Sequence, residues 1–227
     1  MKKLLFVAIS CAAWIVCLSQ SANINLLAAR DSTLRAIIHA DSVKTEKQFE
    51  QKARWAKLIS EEKFPAVNAG AHSGVFPVKN ITEIPDPSMQ YKLLFEIHDE
   101  NPDSALNEFD YNLVEVSRII NLHVASGIPL KNISVVVVAH GPVLNSLSTN
   151  QSYQKRFKMD NPNLELIKNL EKLGVRFVVC GQAMDFGNFT KEDMLPEMKI
   201  SLTAQTALTG YQLKGYVLKT IKDDREK

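Results

Sequence analysis

Three short apolar runs of this chain each end on side chains that could do chemistry. His98 and Asp99 follow the first run, His140 and Gly141 follow the second, and Cys180 and Gly181 follow the third. If the runs are parallel strands, their carboxyl ends share one rim of a sheet, which is where ligands bind in open α/β folds. We therefore assign Cys180 and His140 as candidate catalytic residues and His98, Gly141 and Gly181 as candidate binding residues.

Cys180 is the sharpest of these candidates. Gly181 to Met184 could turn directly into a short helix, whose first N–H groups would favour the thiolate, the nucleophilic form of cysteine. Free cysteine is also among the most buried residue types, so a packed, inert side chain is the alternative.

The histidines leave similar alternatives open. His140 could act as a cation or base beside a thiol, or could simply be held by backbone hydrogen bonds at a strand end. His98 and Asp99 could form a second acid–base pair or a solvated turn.

Several other site classes lack their sequence signatures. The five histidines show no His-x-x-x-His spacing and there is no Cys-x-x-Cys pair, so we expect no metal site. There is no Gly-x-Gly-x-x-Gly, P-loop or Gly-x-Ser-x-Gly motif, which argues against nucleotide binding and serine hydrolysis. We expect no cofactor.

Alternating strand and helix patterns must position these residues. Tyr91–Ile97 and Ile133–Ala139 are apolar runs typical of buried parallel strands, and Val175–Val179 is a third. The helices between them are predicted to end at Gly127 and to run from an Asn161 cap and Pro162 to Gly174. Thr190 and Asp193 predict a capped short helix, followed by a strand at 198–202, a helix at 204–213 and a strand at 215–220. The pattern predicts a doubly wound, mostly parallel five-stranded sheet with helices on both faces.

The N-terminal part differs from this domain. Lys2 and Lys3 precede an uncharged apolar run, and Ser19 and Ser21 are small residues suited to a cleavage site, so residues 1–21 are predicted to be a signal peptide. Lipidation and a retained anchor are the alternatives. We then expect a helical segment at 22–63, a Pro/Gly-rich lead-in loop at 64–90 and an α/β domain at 91–227.

Cleavage after residue 21 would change the composition of a chain of 227 residues with a formal net charge of +2. Losing Lys2 and Lys3 lowers the basic count from 27 to 25, equal to the 25 acidic residues, so no electrostatic case for nucleic acid remains. Cys180 would be the single cysteine left, which excludes an intramolecular disulfide. We expect a periplasmic or secreted bacterial protein with no stable membrane insertion.

Four segments together resemble the DsrE/DsrF-like family: VVVVAHGPVL (135–144), DNPNLELIKNLEKLGVRFVVCGQAM (160–184), FTKEDMLPEMKI (189–200) and LKGYVL (213–218). The resemblance implies a small α/β fold that assembles into homotrimers or hexamers and a sulfur relay in which one cysteine carries a persulfide. Cys180 matches that cysteine, and His140 matches the family's histidine-glycine turn. The predicted export and the additional N-terminal helical segment set this chain apart from the cytoplasmic relatives.

Two functional hypotheses follow. In the first, an exported homo-oligomeric thiol protein carries sulfur on Cys180 and exchanges it with a donor or acceptor protein. In the second, the chain is a non-catalytic oligomeric binding or assembly module in which Cys180 is structural.

Overall fold

The computed structural model describes residues 3–221, with side chains described from residue 29 onward. The chain divides into two units, with the boundary between Lys57 and Leu58. The first unit consists of helix α1, which spans Lys3–Ser60 and so extends three residues into the second unit. All side chains at 29–57 are exposed. The predicted signal segment at 1–21 lies outside the residues whose side chains are described.

The second unit contains a five-stranded sheet in which every strand is parallel to its neighbours. The predicted α/β fold is therefore confirmed. The strands are β1 (Tyr91–Ile97), β2 (Ile133–Ala139), β3 (Arg176–Cys180), β4 (Lys199–Ser201) and β5 (Val217–Lys219), in the spatial order β4-β3-β2-β1-β5. The chain winds outward from β1 to β4 and then returns to the other side of β1. The direction of winding therefore reverses between β1 and β5.

Five helices belong to the described part of this unit: α2 (Tyr111–Ala125), α3 (Asn150–Phe157), α4 (Leu164–Lys172), α5 (Gly181–Phe186) and α6 (Ala204–Leu213). Because strand side chains alternate between faces, the sheet has two separate apolar layers. One contains Phe95, Val137 and Phe177 with residues of α2 and α4, and the other contains Leu94, Val138 and Val178 with Ala204 and Leu208 of α6. Helices thus cover both faces of the sheet.

Two predicted elements were wrong in detail. Helix α4 begins at Leu164 rather than at Pro162, and Asn161 does not cap it. The Asn161 side chain instead donates to the carbonyls of Ser146 and Ser148 at 3.0 and 2.8 Å. The segment after Thr190 forms a single 3-10 turn, Lys191–Asp193, although its capping box is present as predicted.

Helix α3 was not predicted. Its sequence NQSYQKRF buries only Ser152 and Tyr153, so it lacks the apolar periodicity that identifies an amphipathic helix. Its caps explain it better: the Thr149 hydroxyl accepts from the Ser152 N–H at its start, and Lys158 ends it in a left-handed conformation.

The lead-in segment has no helix or strand of its own between residues 61 and 90, all of which the structure describes. A single antiparallel bridge joins Lys63 and Val75. The buried side chain of Asn121 on α2 holds this loop. It accepts from the N–H groups of Ala66 and Val67 and donates to the carbonyls of Val67 and Ser73.

Within the described residues, no helix is both long and apolar enough to cross a membrane.

Candidate functional site at the carboxyl rim of the sheet

The parallel sheet brings the predicted site residues to one rim. Cys180 is the last residue of β3, His140 directly follows β2, and His98 directly follows β1. These are three adjacent strands in the order β3-β2-β1. Each residue reaches the rim because an apolar strand ends there.

Cys180 is both the end of β3 and the N-cap of α5. Its sulfur accepts the N–H of Ala183 at 3.4 Å. The side chain is 6% exposed and packs on the α6 face of the sheet with Val138, Val178 and Leu208. The Cys180 sulfur therefore receives one hydrogen bond, from the Ala183 N–H, in an otherwise largely apolar environment.

His140 lies in register with Cys180. Strands β2 and β3 pair Val138 with Val178 and Ala139 with Val179, and His140 keeps an extended backbone at φ −150° and ψ 165°. The next pair along this register is His140 and Cys180. Neighbouring strands are about 4.8 Å apart and paired residues point to the same face, so both side chains belong to the α6 side of the rim.

Glu96 joins this arrangement, and sequence reasoning missed it. Its Oε1 lies 3.0 Å from Nε2 of His140. The signal that could have identified it is a charged residue inside the otherwise apolar end of the run YKLLFEI. Placing it beside His140 requires the pairing of β1 with β2.

His98 forms a second imidazole–carboxylate pair. Its Nδ1 lies 2.7 Å from Oδ1 of Asp99, and its ring centroid is 4.7 Å from that of His140 in an edge-on arrangement. The two histidines predicted separately thus form one cluster with two carboxylates. Within the described residues, no group of three or more His, Cys, Asp or Glu is arranged to hold a metal ion.

The two candidate glycines have packing reasons for their identity. Gly141 has φ +71°, and a β-carbon there would lie 2.6 Å from Nε2 of His98. A β-carbon at Gly181 would lie 2.9 Å from the backbone oxygen of Ser201. Gly141 favours glycine mainly because of its positive φ, whereas at Gly181 a backbone oxygen occupies the space of a side chain.

Three contacts join the loop after β1 to the turn after β2. Val143 donates its N–H to the His98 carbonyl at 2.9 Å, and the Asn145 amide donates to Glu100 at 2.7 Å. The ring of His98 against Gly141 is the third. The two loops that carry the histidines are therefore held as one piece.

Burial affects the ionisation of groups behind this rim. Burial raises the pKa of Glu100 above its ordinary value, and the negative charge of Asp110 acts in the same direction against the hydrogen bond from Asn145. Burial, with Glu100 and Asp110, also raises the pKa of Tyr153 to about 12. The Tyr153 hydroxyl donates to the Leu106 carbonyl at 2.7 Å.

A cavity of about 250 Å³ opens at the β1–β5 end of the rim. Its lining includes Glu96, His98, Asp99 and His140 on one side and residues 218–221, at and after the end of β5, on the other. Crevices at the point where strand winding reverses are the usual ligand sites of open α/β sheets. Cys180 is not among the lining residues, and His140 lies between it and the cavity in the strand order.

Residues 115–220 match the model of the DsrE/DsrF-like family. A solved structure titled as a protein of unknown function, MTH1491 from Methanobacterium thermoautotrophicum, is 20% identical with a TM-score of 0.43, over 57% of this chain and 97% of that chain. No curated protein matches this chain.

Proposed function

We propose that the protein carries sulfane sulfur as a persulfide on Cys180, a role suggested by the match of residues 115–220 to the DsrE/DsrF-like family model. The observation that carries the proposal is the position of the thiol. Its sulfur accepts the Ala183 N–H at 3.4 Å and it lies in register with His140. A donated hydrogen bond and a neighbouring imidazolium both favour the thiolate, the form that attacks sulfur.

The transfer step needs only a thiolate and a group that handles protons. The Cys180 thiolate attacks the outer sulfur of a donor persulfide, R–S–SH. The bond between the donor's two sulfur atoms breaks, and the donor leaves as R–S⁻ with the bonding electron pair. The product is a persulfide on Cys180, and the reverse step passes the sulfur to an acceptor thiolate. No net oxidation or reduction of the system occurs.

His140 is the proton carrier in this proposal. Its imidazole takes the proton of the Cys180 thiol before the attack and returns it to the leaving thiolate. This is the general acid–base role that histidine fills near neutral pH.

Intact-protein mass spectrometry tests the proposal. The protein is treated with inorganic polysulfide, and peptide mapping locates the adduct because Cys11 and Cys17 are also in the chain. We expect a gain of one sulfur atom on the Cys180 peptide that a reductant removes. A Cys180 peptide that never gains sulfur, or an equal gain by the Cys180→Ser variant, contradicts the proposal.

One observation favours a second candidate, a non-catalytic oligomeric module with a structural cysteine. Cys180 is 6% exposed and packs against apolar side chains, as an inert cysteine would. This alternative predicts slow alkylation in the native state, with a pH dependence no different from that of an ordinary thiol. It also predicts that Cys180→Ala keeps every binding property of the protein.

Export, assembly and partners complete the proposal. We propose that residues 1–21 direct the chain to the periplasm or the medium, and that it acts there as a homotrimer or homohexamer exchanging sulfur with a donor or acceptor protein. The charge pattern at the N-terminus supports export, and family resemblance supports assembly. Fractionation with an N-terminal mass measurement tests the first, and light scattering after gel filtration tests the second.

A further inference from the structure

The carboxylate of Glu96 occupies an unusual position in β1. Its chain neighbours Phe95 and Ile97 are 0% and 1% exposed, yet Glu96 lies on the α6 face near the end of the strand. Removing part of the hydration of a carboxylate there costs free energy unless a partner compensates its charge. His140 is that partner, with Nε2 3.0 Å from Glu96 Oε1 and side chains 25% and 35% exposed.

The pair fixes the tautomer of His140. An ionised carboxylate has only acceptor oxygens, so Nε2 of His140 must carry the hydrogen that Glu96 accepts. The hydrogen bond of one ring nitrogen decides which nitrogen remains free in a histidine. In the neutral ring, Nδ1 therefore keeps the lone pair and is the proton acceptor.

This arrangement lies on the same side of the sheet as Cys180. Glu96 pairs with Val138 in β2, and His140 is two residues further along on the same face. Cys180 is the register partner of His140 on the other side, by continuation of the Ala139–Val179 pair. The order across three strands is carboxylate, imidazole, thiol.

We propose that Glu96 is a positioning residue for sulfur transfer, acting through His140 on Cys180. This inference rests on the proposed function. Glu96 orients the ring, keeps Nδ1 available for the thiol proton and compensates the positive charge of the imidazolium that results. The acid–base logic is that of a nucleophile, a base and a third group that orients the base.

Other charged or titratable groups lie near His140. His98 packs edge-on against its ring, and the ring also lines the cavity together with Asp99, Tyr111 and Lys219. These groups are the same in the wild type and in Glu96→Gln. A difference in alkylation rate between the two proteins therefore arises from residue 96.

The test is the rate of iodoacetamide alkylation of the Cys180 peptide between pH 5.5 and 9.5, measured on the folded full chain. We expect Glu96→Gln to react about tenfold more slowly than the wild type at pH 7, the change produced by roughly 1.4 kcal/mol. Its rate should approach that of the wild type at pH 9.5, where thiols ionise without help. Glu165→Gln, an exposed glutamate on α4, should keep the wild-type profile.

A double-mutant cycle separates positioning from packing. In a His140→Asn background, Glu96→Gln should make no further difference at pH 7. A change of packing alone would instead alter the rate by the same factor at every pH. Either that uniform change, or a wild-type profile in Glu96→Gln, overturns the inference.

The polysulfide mass assay distinguishes failure of this inference from failure of the proposed function. A wild-type Cys180 that gains no sulfur refutes the persulfide role whatever the alkylation profiles show. A Cys180 that gains sulfur equally fast in the wild type and in Glu96→Gln at pH 7 leaves the persulfide role standing and refutes the role of Glu96.

Discussion

The imidazole of His98 fills the space that a side chain at residue 141 would need. A β-carbon added to Gly141 would lie 2.6 Å from Nε2 and 2.7 Å from Cδ2 of His98. The loop after β1 and the turn after β2 therefore touch through a ring on one side and bare backbone on the other. The ring centroid of His98 also lies 4.7 Å from that of His140.

The first prediction concerns Gly141→Ala. The backbone at φ +71° costs an L-residue about 1–2 kcal/mol, and displacing the exposed His98 ring adds a further, smaller cost. Gly127→Ala is the matched control, because Gly127 has φ +93° but no atom within 4 Å of its added β-carbon. Urea unfolding should show the larger loss for Gly141→Ala. Equal losses would mean that the ring moves aside freely.

The second prediction concerns Asn121→Ala. This side chain is 0% exposed and makes four hydrogen bonds to the backbone of Ala66, Val67 and Ser73. Removing it leaves buried backbone groups without partners, so we expect a loss of about 3 kcal/mol or more in unfolding free energy. Proteolysis of the native variant should also cut within residues 64–75 sooner.

Asn107→Ala is the control for that measurement, because Asn107 is exposed and surface substitutions usually change stability by less than about 0.5 kcal/mol. If Asn121→Ala resembled Asn107→Ala in both measurements, the lead-in loop would not depend on the asparagine.

The third prediction concerns pH and Glu100. Burial raises the pKa of its carboxyl above the ordinary value of 4.5, so the folded state binds more protons than the unfolded state above that pH. The contribution of Glu100 to stability is therefore fully present below about pH 4.5 and is lost as pH rises through the folded-state pKa. Glu100→Gln, which does not ionise, should gain unfolding free energy relative to the wild type as the pH rises from 4.5 to 8.

Hydrogen bonds lower the pKa of Asp86, Asp160 and Asp193, and these groups contribute with the opposite sign, so the difference between variants is the quantity to measure. Glu108→Gln replaces an exposed glutamate of the same loop. Its unfolding free energy should change with pH in the same way as that of the wild type. A Glu100→Gln difference that stays constant across this pH range would contradict the assignment.

The fourth prediction concerns Arg156, which holds the segment after α5. Its guanidinium carbon lies 3.7 Å from the centroid of the Phe189 ring, and Nη2 donates to the Gly187 carbonyl at 2.8 Å. Lysine lacks a planar group that could stack on the Phe189 ring and donate to the Gly187 carbonyl at the same time. Arg156→Lys should lose about 1 kcal/mol of unfolding free energy, whereas Lys168→Arg, at an exposed site on α4, should change it little. An Arg156→Lys variant with an unchanged unfolding free energy would show that a positive charge at residue 156 is enough to hold this segment.

Much of the fold follows from local patterns. Strands β1 and β2 have the predicted bounds because each is an apolar run ended by polar residues, and α6 has the predicted bounds of 204–213. Gly127 follows α2 in a left-handed conformation, as expected. Prediction failed where a side chain that matched a local motif made a tertiary contact instead. Asn161 matches the pattern of a helix cap but donates to the carbonyls of Ser146 and Ser148, which precede α3.

The candidate site divides in the same way. Sequence alone identified His98, His140 and Cys180 as residues at or directly after the ends of three apolar strands, because an apolar run and the polar residues that end it are local features of the chain. Only the tertiary structure decided that Glu96 pairs with His140, 44 residues away, and that the cavity lies between the ends of β1 and β5. The physical reason is that strand order and register arise from packing across the whole sheet, and no local pattern specifies which strand lies beside which.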